Sequence, residues 1–328
     1  MNDAETLDTL QALVGRPFKY VMEGERCTAL KLTDDDYIYH GLVRRHSPQE
    51  KADVMTLVCR LTKLRHLDLR RNKLRDLPGD FENLTALEEL VLGSNYLGSV
   101  PESIRGFKRL KRLHLSNNDL GSVPDFLGEL DNLEYLALHK NTKLRAIDPV
   151  GELANLKVLN LYFVNLRGIP EYLYDLSQLR SLSVSFCNTM TDDIGKLHNL
   201  EFFTNCISPK LRRLPDAFFS LKNLRMTRLY QNGLETLQDE VGELRNLEQI
   251  SLYQNQLSEL PDSFGQLTKL EKLNLGWNGF VDFPPCLDKL TNLKWLGFFG
   301  NPLSDQAIQT ADQKEHCLVH WPFTTLPA

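Results

Sequence analysis

The chain of 328 residues lacks a surplus of basic charge: Lys and Arg number 38 against 43 Asp and Glu, for a net charge of −5. A protein that neutralises phosphates along a nucleic acid needs the opposite balance, so no nucleic-acid partner is expected. Also missing is any apolar run near the ~20 residues that cross a bilayer, and no membrane partner is expected. The start, MNDAETLDTLQALVG, has no basic segment and carries three acids before any base, unlike a secretory signal. Cysteine is sparse, six residues at 27, 59, 187, 206, 286 and 317, without the spacings of a disulfide framework. Reduced thiols and a cytoplasmic location are the expectation, with an exported effector lacking a cleavable signal as the alternative. Neither a GxxxxGK(S/T) phosphate loop nor a GxSxG nucleophile elbow occurs.

What the chain has in quantity is repetition. Residues 64–78 read LRHLDLRRNKLRDLP, and beneath them fit LEELVLGSNYLGSVP from 87, LKRLHLSNNDLGSVP from 110 and LEKLNLGWNGFVDFP from 270. Asparagines fall at 72, 95, 118 and 141, and again at 232, 255, 278 and 301, each step being 23 (95 − 72 = 23). Between these blocks the frame continues through Val164, Cys187 and a slipped Ser208, for about eleven frames. In LxxLxLxxNxLxxLP the LxL core alternates with period two, so both leucines share one face of a short strand. The later Leu and Leu-Pro begin a return leg, where Pro is tolerated because no sheet ladder passes through it. Segments such as DFENL, ESIRGF and DFLGEL then supply a further apolar residue from a short helical or irregular stretch. One unit cannot bury its leucines alone; stacked units bury them against each other, each Leu contributing roughly 1.5–3 kcal/mol.

This pattern resembles the leucine-rich repeat family, in its 23-residue Leu-Pro class of intracellular and bacterial proteins, over residues 61 to about 303. The resemblance implies an α/β fold: a right-handed solenoid curved like a horseshoe, with a parallel β-sheet on the concave face and short helices or irregular turns on the convex face. It implies a non-enzymatic role, binding a partner protein through the concave face, with no cofactor and a monomer when unbound. The expected organisation is a cap over 1–60, repeats over 61–303 and a second cap over 304–328. In the first cap Leu7, Leu10, Leu13 and Val14 stand at helical spacing. Leu30-x-Leu32-x-x-Asp35 reads as a degenerate first repeat, and 40–56 as an inserted loop leading into a helix. The last cap is expected to begin a helix near Ser304, and LVHWPFTTLPA to add a strand or to fold back over the last repeat.

An amide side chain donates and accepts, so one Asn per turn can satisfy backbone groups that the bend leaves unpaired. Val164 can do neither, Cys187 has only a weak donor, and Asn205 falls where the frame expects the second strand Leu. A break in the asparagine ladder with irregular turns is therefore expected across 160–210. It reflects either drift in a tolerant scaffold or a change of curvature around a ligand.

Positions between and just after the strand leucines are free of scaffold duty. Directly after the second strand Leu the chain reads Arg70, Gly93, Ser116, His139, Tyr162, Ser185, Cys206, Tyr230, Tyr253, Gly276 and Phe299. The next position adds Phe163, Phe186, Ile207, Gln231, Gln254 and Trp277, and the positions before the leucines add Tyr135, Phe202 and Trp295. On strands about 4.8 Å apart these side chains form an expected aromatic stripe. Aromatics suit β-structure and can cover one another, but so much exposed ring surface is a feature of interaction sites. The protein-binding residues are accordingly taken as Tyr135, His139, Tyr162, Phe163, Phe186, Phe202, Tyr230, Gln231, Tyr253, Gln254, Trp277, Trp295 and Phe299. The early frames carry His66, Asp68, Arg70, Arg71, Lys73, Arg112, His114 and Lys140, either a solvated charged face or the seat of a partner's acidic patch.

One motif points elsewhere. HCLVH offers His316, Cys317 and His320, yet a structural zinc site wants four ligands, usually in two pairs. Some bacterial members of the family carry a ubiquitin-ligase domain after the repeats, for which residues 303–328 are too few. An enzyme or metal protein with its chemistry in this segment, and a peptide or small-molecule receptor using the same groove, remain the alternatives.

Overall fold

The computed structural model describes residues 1–15, 17–33, 48–312 and 318–320. The chain divides into two compact units, Met1–Val164 and Asn165–Ala328.

The first unit opens with helix α1 (Asp3–Val14). Asn2 caps it by accepting from the Glu5 amide at 2.9 Å, and the Glu5 carboxylate accepts from the Asn2 amide at 2.9 Å, a reciprocal capping box. Leu7, Leu10 and Val14 are buried, Leu13 half so. A hairpin follows, β1 (Lys19–Glu23) antiparallel to β2 (Arg26–Lys31), which the repeat pattern gave no reason to expect. Asp3 pins the helix to it, accepting from the Cys27 amide at 2.8 Å. Helix α2 (Pro48–Arg60) buries Val54, Met55, Leu57 and Val58. Residues 34–47, with Asp35 and most of the expected loop, lie outside the described residues.

From there the strands are parallel and mostly three residues long: β3 (His66–Asp68), β4 (Glu89–Val91), β5 (Arg112–His114) and β6 (Tyr135–Ala137), then the longer β7 (Val158–Asn165). Register follows the repeat, His66 opposite Glu89, Glu89 opposite Arg112, Arg112 opposite Tyr135. The second unit continues with β8 (Ser181–Ser185), β9 (Phe202–Cys206), β10 (Met226–Arg228), β11 (Gln249–Ser251), β12 (Lys272–Asn274) and β13 (Trp295–Gly297). Helix α3 (Asp305–Asp312) and β14 (Leu318–His320) follow, β14 running parallel to β13.

The return legs are 3-10 turns, such as Gly79–Asn83 and Asp262–Gln266. The Leu-Pro or Val-Pro dipeptide starts them: the carbonyls of Pro78, Pro101, Pro124 and Pro261 accept from Phe81, Ile104, Leu127 and Phe264 at 2.9–3.1 Å. Proline's missing amide is no loss there, because the first amides of a helical turn have no internal partner.

The asparagine ladder has the predicted chemistry. Asn95 Oδ1 accepts from the amides of Asn72 (2.9 Å) and Leu74 (3.1 Å), while Nδ2 donates to the carbonyls of Leu69 (3.0 Å) and Leu92 (2.7 Å). Asn141 does the same two repeats later and Asn301 repeats it in the second unit, where Asn278 makes the same bonds except that its Oδ1 accepts from the Leu257 amide alone. A second column was not foreseen. Asn132 and Asn155 in the first unit, and Asn199, Asn223, Asn246 and Asn292 in the second, each donate to a carbonyl of the preceding repeat at 2.7–2.9 Å. Its signal was the Asn-Leu pair just ahead of each strand.

Where the first ladder is broken, the chain does not become irregular. The strands lengthen instead, to eight residues in β7 and five in β8 and β9 against three elsewhere in the repeats. Strand pairing, with Val184 opposite Asn205 and Ser185 opposite Cys206, satisfies backbone groups that an amide would otherwise serve. Asn205 also reverses its expected effect. It is fully buried, donates to the Cys187 carbonyl at 3.1 Å and accepts from Ser208 Oγ at 3.0 Å, so it carries the ladder on from a strand position.

Candidate functional site

Just before each ladder position the backbone turns left-handed. In the first unit these residues are Arg71, Ser94, Asn117, Lys140 and Phe163; in the second, Phe186, Ile207, Gln231, Gln254, Trp277 and Gly300, all with φ between 53° and 72°. The turn ends the strand and swings the next side chain into the ladder. Gly and Asn adopt it readily, whereas a bulky side chain carries a cost of roughly 1–2 kcal/mol. Gln231 and Gln254, each directly after a tyrosine (Tyr230 and Tyr253), stand here. So do Phe163, Phe186, Ile207 and Trp277, which the turn does not favour.

None of the thirteen sequence-predicted site residues lies in the core; all are half-buried or exposed. The column after the second strand Leu is less uniform than expected, since Ser185 and Cys206 in it are fully buried. In the first unit the rings of Tyr162 and Phe163 meet edge-on at 4.4 Å. Tyr135 stacks with His114 at 4.5 Å and carries the Arg112 guanidinium 4.7 Å above its ring, a cation–π contact. In the second unit Tyr253 and Phe299 lie 5.8 Å apart, Phe202 is 38% exposed and Trp277 54%.

Glycines make room for these last rings. A Cβ on Gly300 would stand 2.8 Å from the Trp277 indole, one on Gly297 2.6 Å from that of Trp295, and one on Gly276 3.1 Å from the Phe299 ring. Each aromatic thus lies down on bare backbone. Beside Trp295 opens a groove of about 420 Å³ over β10–β13, lined also by Met226, Arg228, Gln249, Ser251, Lys272 and Asn274. These residues were missed, although they occupy the same free columns as the aromatics; polar residues among charged neighbours give no compositional signal.

Part of the basic charge expected for the early frames is neutralised from within. Asp68 accepts from Arg70 Nη2 at 2.6 Å. Glu89 stands among His66 Nδ1 (3.3 Å), Arg112 Nε (3.4 Å) and His114 Nε2 (3.4 Å), the last without hydrogen-bond alignment. Burial lowers the His114 pKa, against the pull of Glu89, and burial followed by the Lys140 charge lowers that of His139. Both imidazoles are therefore held toward the neutral form.

Cys27, Cys59, Cys187 and Cys286 are buried, and burial pushes their thiols up to about 11, 11, 12 and 11, which suppresses the nucleophilic thiolate. Among the described residues no three His, Cys, Asp or Glu side chains are placed to hold a metal ion. His316 and Cys317 lie outside the described residues, and of His320 only the backbone is described.

Residues 45–167 match the family model described as a leucine-rich repeat region, and residues 223–280 match a second, described as a leucine rich repeat. The chain is a leucine-rich repeat protein. Its fold is similar to that of an internalin from Listeria monocytogenes, at 19% identity and a TM-score of 0.73, over 97% of this chain and 88% of that one. A leucine-rich repeat protein from Leptospira interrogans is 26% identical over 80% of this chain and 86% of its own, with a TM-score of 0.46. No curated protein matches the chain. Leucine-rich repeat domains are in general protein-interaction modules. No helix among the described residues of this one is long and apolar enough to cross a membrane.

Proposed function

We propose that this leucine-rich repeat protein is a non-enzymatic recognition module that binds a partner protein through the aromatic residues of its open sheet face. The observation that carries this reading is Trp277: a ring 54% exposed, at a left-handed position with φ of 55°, lying on Gly300. Strain kept at a position where glycine or asparagine would serve is a feature of functional sites, and Trp and Tyr dominate binding hot spots. Tyr230, Tyr253, Phe299 and Trp295 extend the same face within the second unit, and Tyr135, His139, Tyr162 and Phe163 stand on that of the first. The five cysteines among the described residues are free and buried, which supports a reducing compartment, and so a cytoplasmic setting.

The test is affinity capture with the intact protein, a Y230A/Y253A/W277A variant and, as control, a variant of Val281, an exposed residue outside these columns. Loss of a hot-spot ring costs about 2 kcal/mol or more, so the triple aromatic variant should lose its partners while the control keeps them. Equal recovery of the same partners by all three would show that the face is not the binding surface.

A further inference from the structure

The second unit's sheet face differs from the first in the fate of its charges. In the first unit each acid on the face, Asp68 and Glu89, is matched to neighbouring bases. On β8–β13 and the left-handed residues after them, no face position is Asp or Glu. Only two are charged, Arg228 and Lys272, and both are positive and exposed. Neither pairs with a carboxylate among the described residues. Several flanking cations of this unit are paired, as Arg225 is with Glu248 (2.9 Å), Lys222 with Glu243 (2.9 Å) and Lys294 with Glu271 (2.7 Å).

Register fixes how the two unpaired cations stand. Arg228 is in line with Ser251, and Lys272 with Gln249, so they lie two strands apart and two residues out of line. With strands about 4.8 Å apart and a rise of about 3.3 Å per residue, their Cα atoms are roughly 12 Å apart. They flank the 420 Å³ groove, whose middle is the short Ser251 and whose end is the Trp295 indole. Two cations in the lining of an otherwise uncharged, partly aromatic groove form a local positive spot in a protein of net charge −5.

We infer that this groove takes an extended acidic segment of the partner protein, its carboxylates meeting Arg228 and Lys272 and an apolar side chain lying against Trp295. The inference rests on the reading of the face as a protein-binding surface and specifies the chemistry of what it binds. An extended segment presents side chains i and i+4 on one side about 13 Å apart, close to the separation of the two cations. Two cations are too few to track a phosphate backbone, which favours a peptide over a nucleic acid.

An array of synthetic peptides in matched pairs tests it, each pair identical except that Asp and Glu in one member are Asn and Gln in the other. The full chain is applied at low ionic strength, alongside R228Q/K272Q and Y230A/Y253A/W277A variants and labelled oligo-dT. Acidic members should bind the unaltered protein about five-fold or more above their amide twins, as two exposed ion pairs allow, and R228Q/K272Q should erase that preference. Equal binding of both members, or a preference untouched by R228Q/K272Q, overturns the inference, as does binding of no peptide at all or of oligo-dT as tightly as the best peptide. The aromatic variant separates the two readings: if it weakens both members of each pair while the charge variant changes nothing, the face binds protein but not through acids. If it changes nothing, the face reading itself fails.

Discussion

Asn205 shows how one residue can break a motif and still serve it. The repeat asks for leucine there, as at Leu229 and Leu252 in the neighbouring strands, and the sequence alone makes the amide a defect. In the fold it is buried and bonded to the Cys187 carbonyl and Ser208 Oγ. Asn205→Leu, which restores the consensus, should therefore destabilise the protein by about 2 kcal/mol, since an unpaired buried polar group costs roughly 1–3 kcal/mol. Urea denaturation of the variant would show this; a midpoint equal to or above that of the parent would mean the amide bonds contribute nothing. The ladder residues Asn72 to Asn301 were legible because each repeats the same duty at the same spacing. Asn205 was not, because its partners are three and eighteen residues away and only the fold aligns them.

At the scale of elements, the LxL cores placed the strands and the Leu-Pro pairs placed the 3-10 returns. Strand length was hidden. β7, β8 and β9 lengthen because Val164 and Cys187 supply no amide, and pairing along the neighbouring strand fills the need. The left-handed turn after each strand was hidden too, although Asn117 and Gly300 in that column are residues the conformation prefers. Between β12 and β13, Gly297 lets the Trp295 indole lie flat, with Asn274 Oδ1 only 2.8 Å from where a Cβ would stand. Gly297→Ala should push that indole out of the groove, change the intrinsic tryptophan fluorescence and cost about 1–3 kcal/mol of stability by overpacking. Unchanged fluorescence with unchanged stability would show that the glycine holds nothing in place.

For the whole molecule the titrating groups set a stability window. His114 and His139 have pKa values lowered by burial in the fold, so their contribution is present above the unfolded value of about 6.5 and lost as pH falls through the folded one. Glu88, held low by Lys111, and Glu248, held low by Arg225, act in the same direction at more acid pH. The buried thiols act oppositely: Cys187, pushed up to about 12, and Cys27, Cys59 and Cys286, to about 11, favour folding below the unfolded value of about 8.5 and lose that contribution as pH rises. Denaturation midpoints over a pH series should be highest between about pH 7 and 8.5 and fall on both sides. A midpoint that rises below pH 6 would contradict the state assigned to the two histidines.

The sequence by itself determined the period, the buried leucine and asparagine columns, and hence a stack of parallel strands, because each repeat states the same local requirement again. It also named rings that stand clear of the core. Only the tertiary structure decided which charges cancel, which glycines seat the rings and where a groove opens. Most of those depend on side chains from different repeats meeting across the sheet, as Glu89 meets Arg112 and Gly300 seats Trp277. Even the close pairs Asp68–Arg70 and Trp295–Gly297 need the strand to set them on one face.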